Sequence, residues 1–248
     1  MEHGFGVNQI SSVIEMKIAF FGDSITQGFP GASYISALAD KLPGHNLLNY
    51  GKGGDTVISL YRRLQKTSLE NPFDFSVLWV GVNDIFVKTS WTFPILKTLR
   101  GQPWVKDHRE FKACYKMLLE FIYGKSSRVI TISPLFIGED LNNIWNQELN
   151  DLGKIIEDIT GELNQAAFID LQAVFLPLLE SKKVSPYVPK SVTKLLLSLF
   201  FRRSDREIEE QAAKRKLHYT IDGVHLNADG AEIVADKIAK KIRGNSSA

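Results

Sequence analysis

The chain has a single cysteine, Cys114, in 248 residues. An intrachain disulfide is therefore excluded, as is a zinc site built from several thiolates. Cys114 falls on an apolar stripe at helical spacing, which marks a core thiol rather than a nucleophile. Long apolar runs are missing too. No stretch reaches the ~18 to 20 residues that a bilayer-spanning helix needs. Met1 to Glu15 is mixed and polar, without the apolar centre of a secretory signal, so a cytoplasmic location is expected. Excess charge of either sign is absent. With 30 Lys and Arg against 28 Asp and Glu, the formal charge is +2, whereas a dedicated nucleic-acid binder carries a strongly basic face. No group of His, Cys and carboxylate residues has metal-ligand spacing, so neither a metal nor another cofactor is expected.

What remains is a globular composition, 44% hydrophobic and 23% charged, long enough to bury a large core as one α/β domain. Residues 1–15 read as a flexible N-terminal extension and 16–248 as the domain. Apolar strand candidates alternate with helical patterns: Ile18–Phe21, Asn46–Tyr50, Phe75–Val80, Arg128–Ile132 and Ala167–Asp170 as strands. Between and after them, Tyr34–Leu42, Val57–Leu64, Phe111–Ile122, Ile144–Ile159 and Ala228–Ile242 repeat apolar residues at helical spacing. Such alternation predicts a five-stranded parallel sheet in a three-layer α/β/α sandwich. Two stretches exceed what that fold needs, about 85–110 and 174–218, and both leave strands at their carboxyl ends. Within them Trp91, Phe93 and Trp104 are candidates for a pocket wall or for ordinary core. The apolar run Leu195–Phe201 is read three ways: a cap for an acyl chain, an interfacial element, or a helix packed on the core or a second subunit.

In a parallel sheet the ligand sits beyond the carboxyl ends of the strands. Four segments fall there or just before the last helix: Gly22-Asp23-Ser24, Gly51-Lys52-Gly53-Gly54-Asp55-Thr56, Gly81-Val82-Asn83-Asp84 and Asp222-Gly223-Val224-His225. Each has a plain reading. Gly-Asp-Ser is ordinary turn or N-cap chemistry, the glycine run a turn, Asn83-Asp84 an Asx turn, and His225 a polar cap of the closing helix. Each also has a chemical one. Ser24 is a candidate nucleophile, and a serine hydroxyl needs a base such as His225.

Taken together the four segments resemble the GDSL or SGNH hydrolases, named for a Ser, a Gly, an Asn and a His in four blocks. The likeness runs from about Met16 to Ile242 in the family's order, with Ile25 where the family name has Leu. It implies a flavodoxin-like fold and a serine hydrolase that cleaves carboxylic esters through an acyl-enzyme. The catalytic residues it implies are Ser24, His225 and Asp222, the last orienting the imidazole. The oxyanion hole it implies is made by Ser24 N–H, Asn83 and a glycine of the second block. Gly54 fits the Gly-Asp-Thr pattern best, with Gly51 and Gly53 remaining open. Asp84 is expected to support its loop and Asp23 to hydrogen-bond locally, rather than to react. An acyltransferase or a carbohydrate O-acetyl esterase could use the same residues, and a non-catalytic binding module is the alternative of another class. The expected partner is a small-molecule ester, with no nucleic acid and at most transient interfacial contact with a membrane; oligomeric state is left open.

Overall fold

The computed structural model describes residues 15–89, 103–189 and 205–246. Its sheet comprises β1 (Lys17–Gly22), β2 (Asn46–Gly51), β3 (Phe73–Trp79), β4 (Ser126–Ile132) and β5 (Ala166–Ile169), all parallel, in the order β2-β1-β3-β4-β5. β1 lies centrally, and Ile18 to Phe21 are at most 1% exposed. This is why the segment is apolar at every position rather than at alternate ones. Burying Ile18, Phe20 and Phe21 contributes about 1.5–3 kcal/mol each. The strand order reverses beside β1, since β2 lies on one side of it and β3 on the other. The crevice beyond β1 and β3 is thus the expected ligand position.

The helices are α1 (Ser24–Gln27), α2 (Tyr34–Lys41), α3 (Val57–Leu64), α4 (Val82–Thr89), α5 (His108–Tyr123), α6 (Ile144–Gly161), α7 (Leu171–Glu180), α8 (Asp205–Lys214) and α9 (Ala228–Ser246). Ser33, Thr56, Asp107, Asn143 and Asp170 each accept a bond from the first turn of the helix that follows. Those caps fix where the helices begin. α2 packs with α9, and α5 packs with both α3 and α6, giving the two helical layers of an α/β/α sandwich.

Three elements differ from the sequence reading. α5 starts before its apolar stripe, because Asp107 Oδ1 accepts from Glu110 N–H at 2.8 Å. Asn83 and Asp84 lie in the first turn of helix α4, not in an isolated turn. The stretch read as an insertion from residue 174 begins inside α7, whose buried Leu171, Phe175 and Leu179 repeat every four residues around Pro177. Residues 1–14 of the expected 1–15 extension, Trp91, Phe93 and Leu195–Phe201 lie outside the described residues. Trp104 is half-buried against the hydrophobic core, and Cys114 is buried within it. Among the described residues no helix is long and apolar enough to cross a membrane.

Candidate active site

Ser24 is delivered by the end of β1. Gly22 closes that strand where no side chain fits: a Cβ would lie 2.2 Å from Thr26 Oγ1 and 2.3 Å from the Trp79 carbonyl oxygen. Asp23 then caps α1, its Oδ1 accepting from Ile25 N–H at 3.0 Å, and Ser24 is the first helical residue. Two side chains hold the short helix from outside. The Tyr34 hydroxyl donates to Thr26 Oγ1 at 3.2 Å, and Asn49 Nδ2 donates to the Thr26 carbonyl at 2.9 Å. Burial pushes the Tyr34 phenol far above its ordinary pKa, so it remains a neutral donor.

His225 arrives from the far end of the chain. Residues 219–227 fold back on themselves: Thr220 bridges Leu226, Ile221 N–H donates to the His225 carbonyl at 2.9 Å, and Asn227 N–H to the Tyr219 carbonyl at 3.0 Å. The loop after α1 is tied to this turn by Ala32 N–H, which donates to the Leu226 carbonyl at 2.8 Å. His225 Nε2 consequently stands 3.0 Å from Ser24 Oγ, across 201 positions of sequence. Its Nδ1 lies 2.8 Å from Asp222 Oδ2. The other carboxylate oxygen, Oδ1, accepts from Val224 N–H and His225 N–H, both at 2.9 Å. With the proton on Nδ1, the lone pair of Nε2 faces the serine hydroxyl.

Both members of the pair are buried. Burial alone would lower the His225 pKa, but the charge and hydrogen bond of Asp222, with the charge of Asp23, outweigh it and the net shift is upward. Asp222 moves the other way. Burial would raise it, yet the charge and side-chain bond of His225, and the N–H groups of His225 and Val224, bring it below the ordinary carboxylate value.

Asn83 ties the start of α4 to the loops that carry Asp23 and Asp55. Its Nδ2 donates to the Asp55 carbonyl at 3.0 Å and to Asp23 Oδ2 at 3.3 Å. Asp55 is itself braced, its carboxylate accepting from Arg63 Nε at 2.7 Å and Ser59 Oγ at 3.0 Å. Asp84 Oδ2 accepts from Val57 N–H at 3.1 Å and so fixes the start of α3. Of the three glycines left open in the second block, Gly51 N–H donates to Asn49 Oδ1 at 2.8 Å and Gly53 N–H to Gln27 Oε1 at 2.7 Å. Gly54 holds a φ of +79° with open space where a Cβ would project. That backbone region suits glycine and strains other residues.

The remaining described histidines lie elsewhere. His45 accepts from Met16 N–H at 3.2 Å, and His108 pairs with Glu148 at 3.0 Å. The His218 ring meets the Lys183 carbonyl at 3.4 Å. Among the described residues no three His, Cys, Asp or Glu side chains gather as a metal-binding group. One residue that sequence reasoning passed over is Glu139, fully buried and bonded to residues 218–220. Its signal was available: a lone Gly-Glu at the end of an apolar run that continues past β4. Ser133-Pro134 interrupts that run and so masks its continuation.

The sequence pattern of the GDSL-like lipase/acylhydrolase family matches residues 20–233. An acetylxylan esterase of Geobacillus stearothermophilus is 23% identical over 183 residues, covering 66% of this chain and 80% of the relative. The crystal structure of the acetylxylan esterase from that organism superposes with a TM-score of 0.65 at 20% identity, over 92% of this chain and 94% of the other. Structures of its catalytic mutants, with a serine, a histidine or an aspartate replaced by alanine, match comparably. A second acetyl xylan esterase structure, AlAXEase, gives a TM-score of 0.63 at 26% identity, over 92% of this chain and all of that one. The family pattern spans most of the chain, including the Ser24 and His225 loops brought together by the fold, and so this chain belongs to the GDSL-like lipase/acylhydrolases and is a carboxylic ester hydrolase.

Proposed function

We propose that the chain hydrolyses its ester through an acyl-enzyme formed on Ser24. The observation that carries this reading is the unbroken line from Ser24 Oγ through His225 to Asp222, with separations of 3.0 and 2.8 Å. His225 Nε2 takes the hydroxyl proton as Oγ attacks the carbonyl carbon, then gives it to the departing alcohol. A water activated by the same nitrogen releases the acid and restores the serine. Asp222 holds the proton on Nδ1 and stabilises the imidazolium. The negative charge on the carbonyl oxygen is met by Ser24 N–H, Gly54 N–H and Asn83 Nδ2. Asn83 Nδ2 also donates to the Asp55 carbonyl at 3.0 Å and to Asp23 Oδ2 at 3.3 Å, and the longer of the two is the one it exchanges for the oxyanion.

The substrate class proposed is a short acyl ester, acetyl first, on a sugar-like alcohol. Its support is the activity of the two acetylxylan esterases to which the chain is similar. The test is a serine-directed fluorophosphonate followed by peptide mapping, together with turnover of acetyl, butyryl and octanoyl esters and of acetylated xylo-oligosaccharides. Label on Ser24 and a preference for acetyl are expected. Label on another serine overturns the mechanism, and an octanoyl optimum overturns the substrate reading while leaving the mechanism in place.

Asn83→Ala is expected to lower kcat by about 10²- to 10³-fold with KM little changed, since an oxyanion donor acts chiefly in the transition state. Steady-state kinetics on p-nitrophenyl acetate read this split. A loss confined to KM would move Asn83 from the oxyanion to ground-state binding.

A further inference from the structure

We infer that Glu139 is a positioning residue for the imidazole of His225, acting through the segment that carries it. The inference rests on the reading of Ser24, His225 and Asp222 given above. Glu139 is fully buried. Its Oε2 accepts from His218 N–H at 2.6 Å. Its Oε1 accepts from Tyr219 N–H at 2.7 Å, Thr220 N–H at 2.9 Å and Thr220 Oγ1 at 2.8 Å. A carboxylate taken from water is costly unless donors meet it, and here four do. All four come from three consecutive residues that end two positions before Asp222.

The neighbouring residue grips the other side of the same turn. Gly138 N–H donates to the Gly223 carbonyl at 2.7 Å, between Asp222 and Val224. Thr220 Oγ1 adds an internal brace, accepting from Gly223 N–H at 3.2 Å. Two adjacent residues of the connection between β4 and α6 therefore hold both the approach segment, residues 218–220, and the tip of the turn.

That connection is fixed in its turn by α6. Asn146 Oδ1 accepts from Ile137 N–H at 2.7 Å, and Asn146 Nδ2 donates to the Gly138 and Asp140 carbonyls at 3.1 and 2.8 Å. Asn143 Nδ2 reaches the Ile137 and Asp140 carbonyls at 2.8 and 2.7 Å. The imidazole is thus referenced to a helix of the main body rather than to the 219–227 loop alone. Misplacement by about 1 Å of a reacting group commonly costs on the order of 10²-fold in rate. A clamp of this kind is a means of preventing it.

The chemistry of the clamp gives graded variants. In Glu139→Gln the amide oxygen can keep the three donors now on Oε1, but the NH2 group then faces His218 N–H, donor against donor. kcat is expected to fall by about 10- to 100-fold with KM nearly unchanged. Thr220→Val removes one of the four bonds and the brace to Gly223, and should slow kcat by about 10-fold; Thr220→Ser, which keeps the hydroxyl, should recover that loss. In the folded Glu139→Gln and Thr220→Val proteins, fluorophosphonate labelling of Ser24 should slow in step with kcat. The far-downfield Nδ1 proton of His225 should broaden or shift in NMR spectra. Glu139→Ala removes every bond and is expected to lower Tm as well, so the decision rests on the milder pair. If Glu139→Gln and Thr220→Val fold and label Ser24 at the full rate, Glu139 is a structural clasp only and the proposal is overturned. That result differs from failure of the underlying reading, in which Ser24→Ala or His225→Ala would retain turnover with Glu139 intact.

Discussion

Ser24→Ala and His225→Ala are each expected to reduce kcat by about 10⁵- to 10⁶-fold, and the double variant to lose no more than the worse single one. The reason lies in the 3.0 Å contact between Ser24 Oγ and His225 Nε2. Without the base, the neutral hydroxyl is a weak nucleophile; without the hydroxyl, the base has only water to activate. Removing either ends the same step, so the losses do not multiply. A residual acceleration of about 10³- to 10⁴-fold over water is expected from the oxyanion donors alone. The size of the loss depends on the ester. p-Nitrophenolate leaves readily and needs little help from a general acid, so p-nitrophenyl acetate will understate the role of His225 relative to an alkyl or sugar acetate. Measurement on both esters separates proton donation to the leaving group from activation of the nucleophile. Losses that multiply in the double variant would show that the two side chains do not act as one unit.

The sequence makes the scaffold of this site readable for a physical reason. A central parallel strand is dry on both faces, so Ile18–Phe21 is apolar throughout and ends abruptly at Gly22-Asp23-Ser24. The same change from apolar to polar marks the end of β3 before Asn83. Residues at strand ends are visible because the transition from core to crevice is written in neighbouring positions. The partners that brace them are not. Tyr34 carries its hydroxyl on an apolar helical stripe, where it reads as core, and only the fold reveals its bond to Thr26. Arg63 reads as a basic residue in the last turn of a helix, yet it pairs with Asp55 at 2.7 Å and so supports the loop that receives Asn83. Glu139 lies 79 to 81 positions from the backbone groups it accepts. Contacts at such separations follow from chain topology and leave no local pattern. Helix α7 was hidden for another reason, since Pro177 inside it argues against a helix that its buried stripe and Asp170 cap nonetheless sustain.

Asp222→Asn should lower kcat by about 10⁴-fold while leaving the fold intact, and the geometry says why so small a change has so large an effect. Oδ1 of Asp222 is held by two backbone N–H groups, both at 2.9 Å. An asparagine keeps its oxygen there, since its NH2 cannot accept those bonds, and so places NH2 against His225 Nδ1. That nitrogen must then accept, the ring proton moves to Nε2, and Nε2–H points at Ser24 Oγ where a lone pair is required. The charge is lost at the same time. In the native site Asp222 outweighs burial and raises the His225 pKa. Activity needs neutral imidazole, so kcat/KM should rise with pH through a midpoint above the ordinary ~6.5. In Asp222→Asn only the charge of Asp23 still opposes burial, so the midpoint falls and the deficit relative to the native protein narrows toward acid pH. Stability follows the same charges with its own sign. The raised His225 pKa contributes stability fully below about 6.5, and that part is lost as pH rises through the higher folded value. The lowered Asp222 pKa contributes above about 3.9, and that part is lost as pH falls through the lower folded value. Their overlap lies near pH 5 to 6, roughly, so the Tm deficit of Asp222→Asn should be larger at about pH 5.5 than at about pH 9. A deficit that grows toward alkaline pH would mean that Asp222 supports the turn through its backbone bonds alone and that the ion pair with His225 is not what its charge provides.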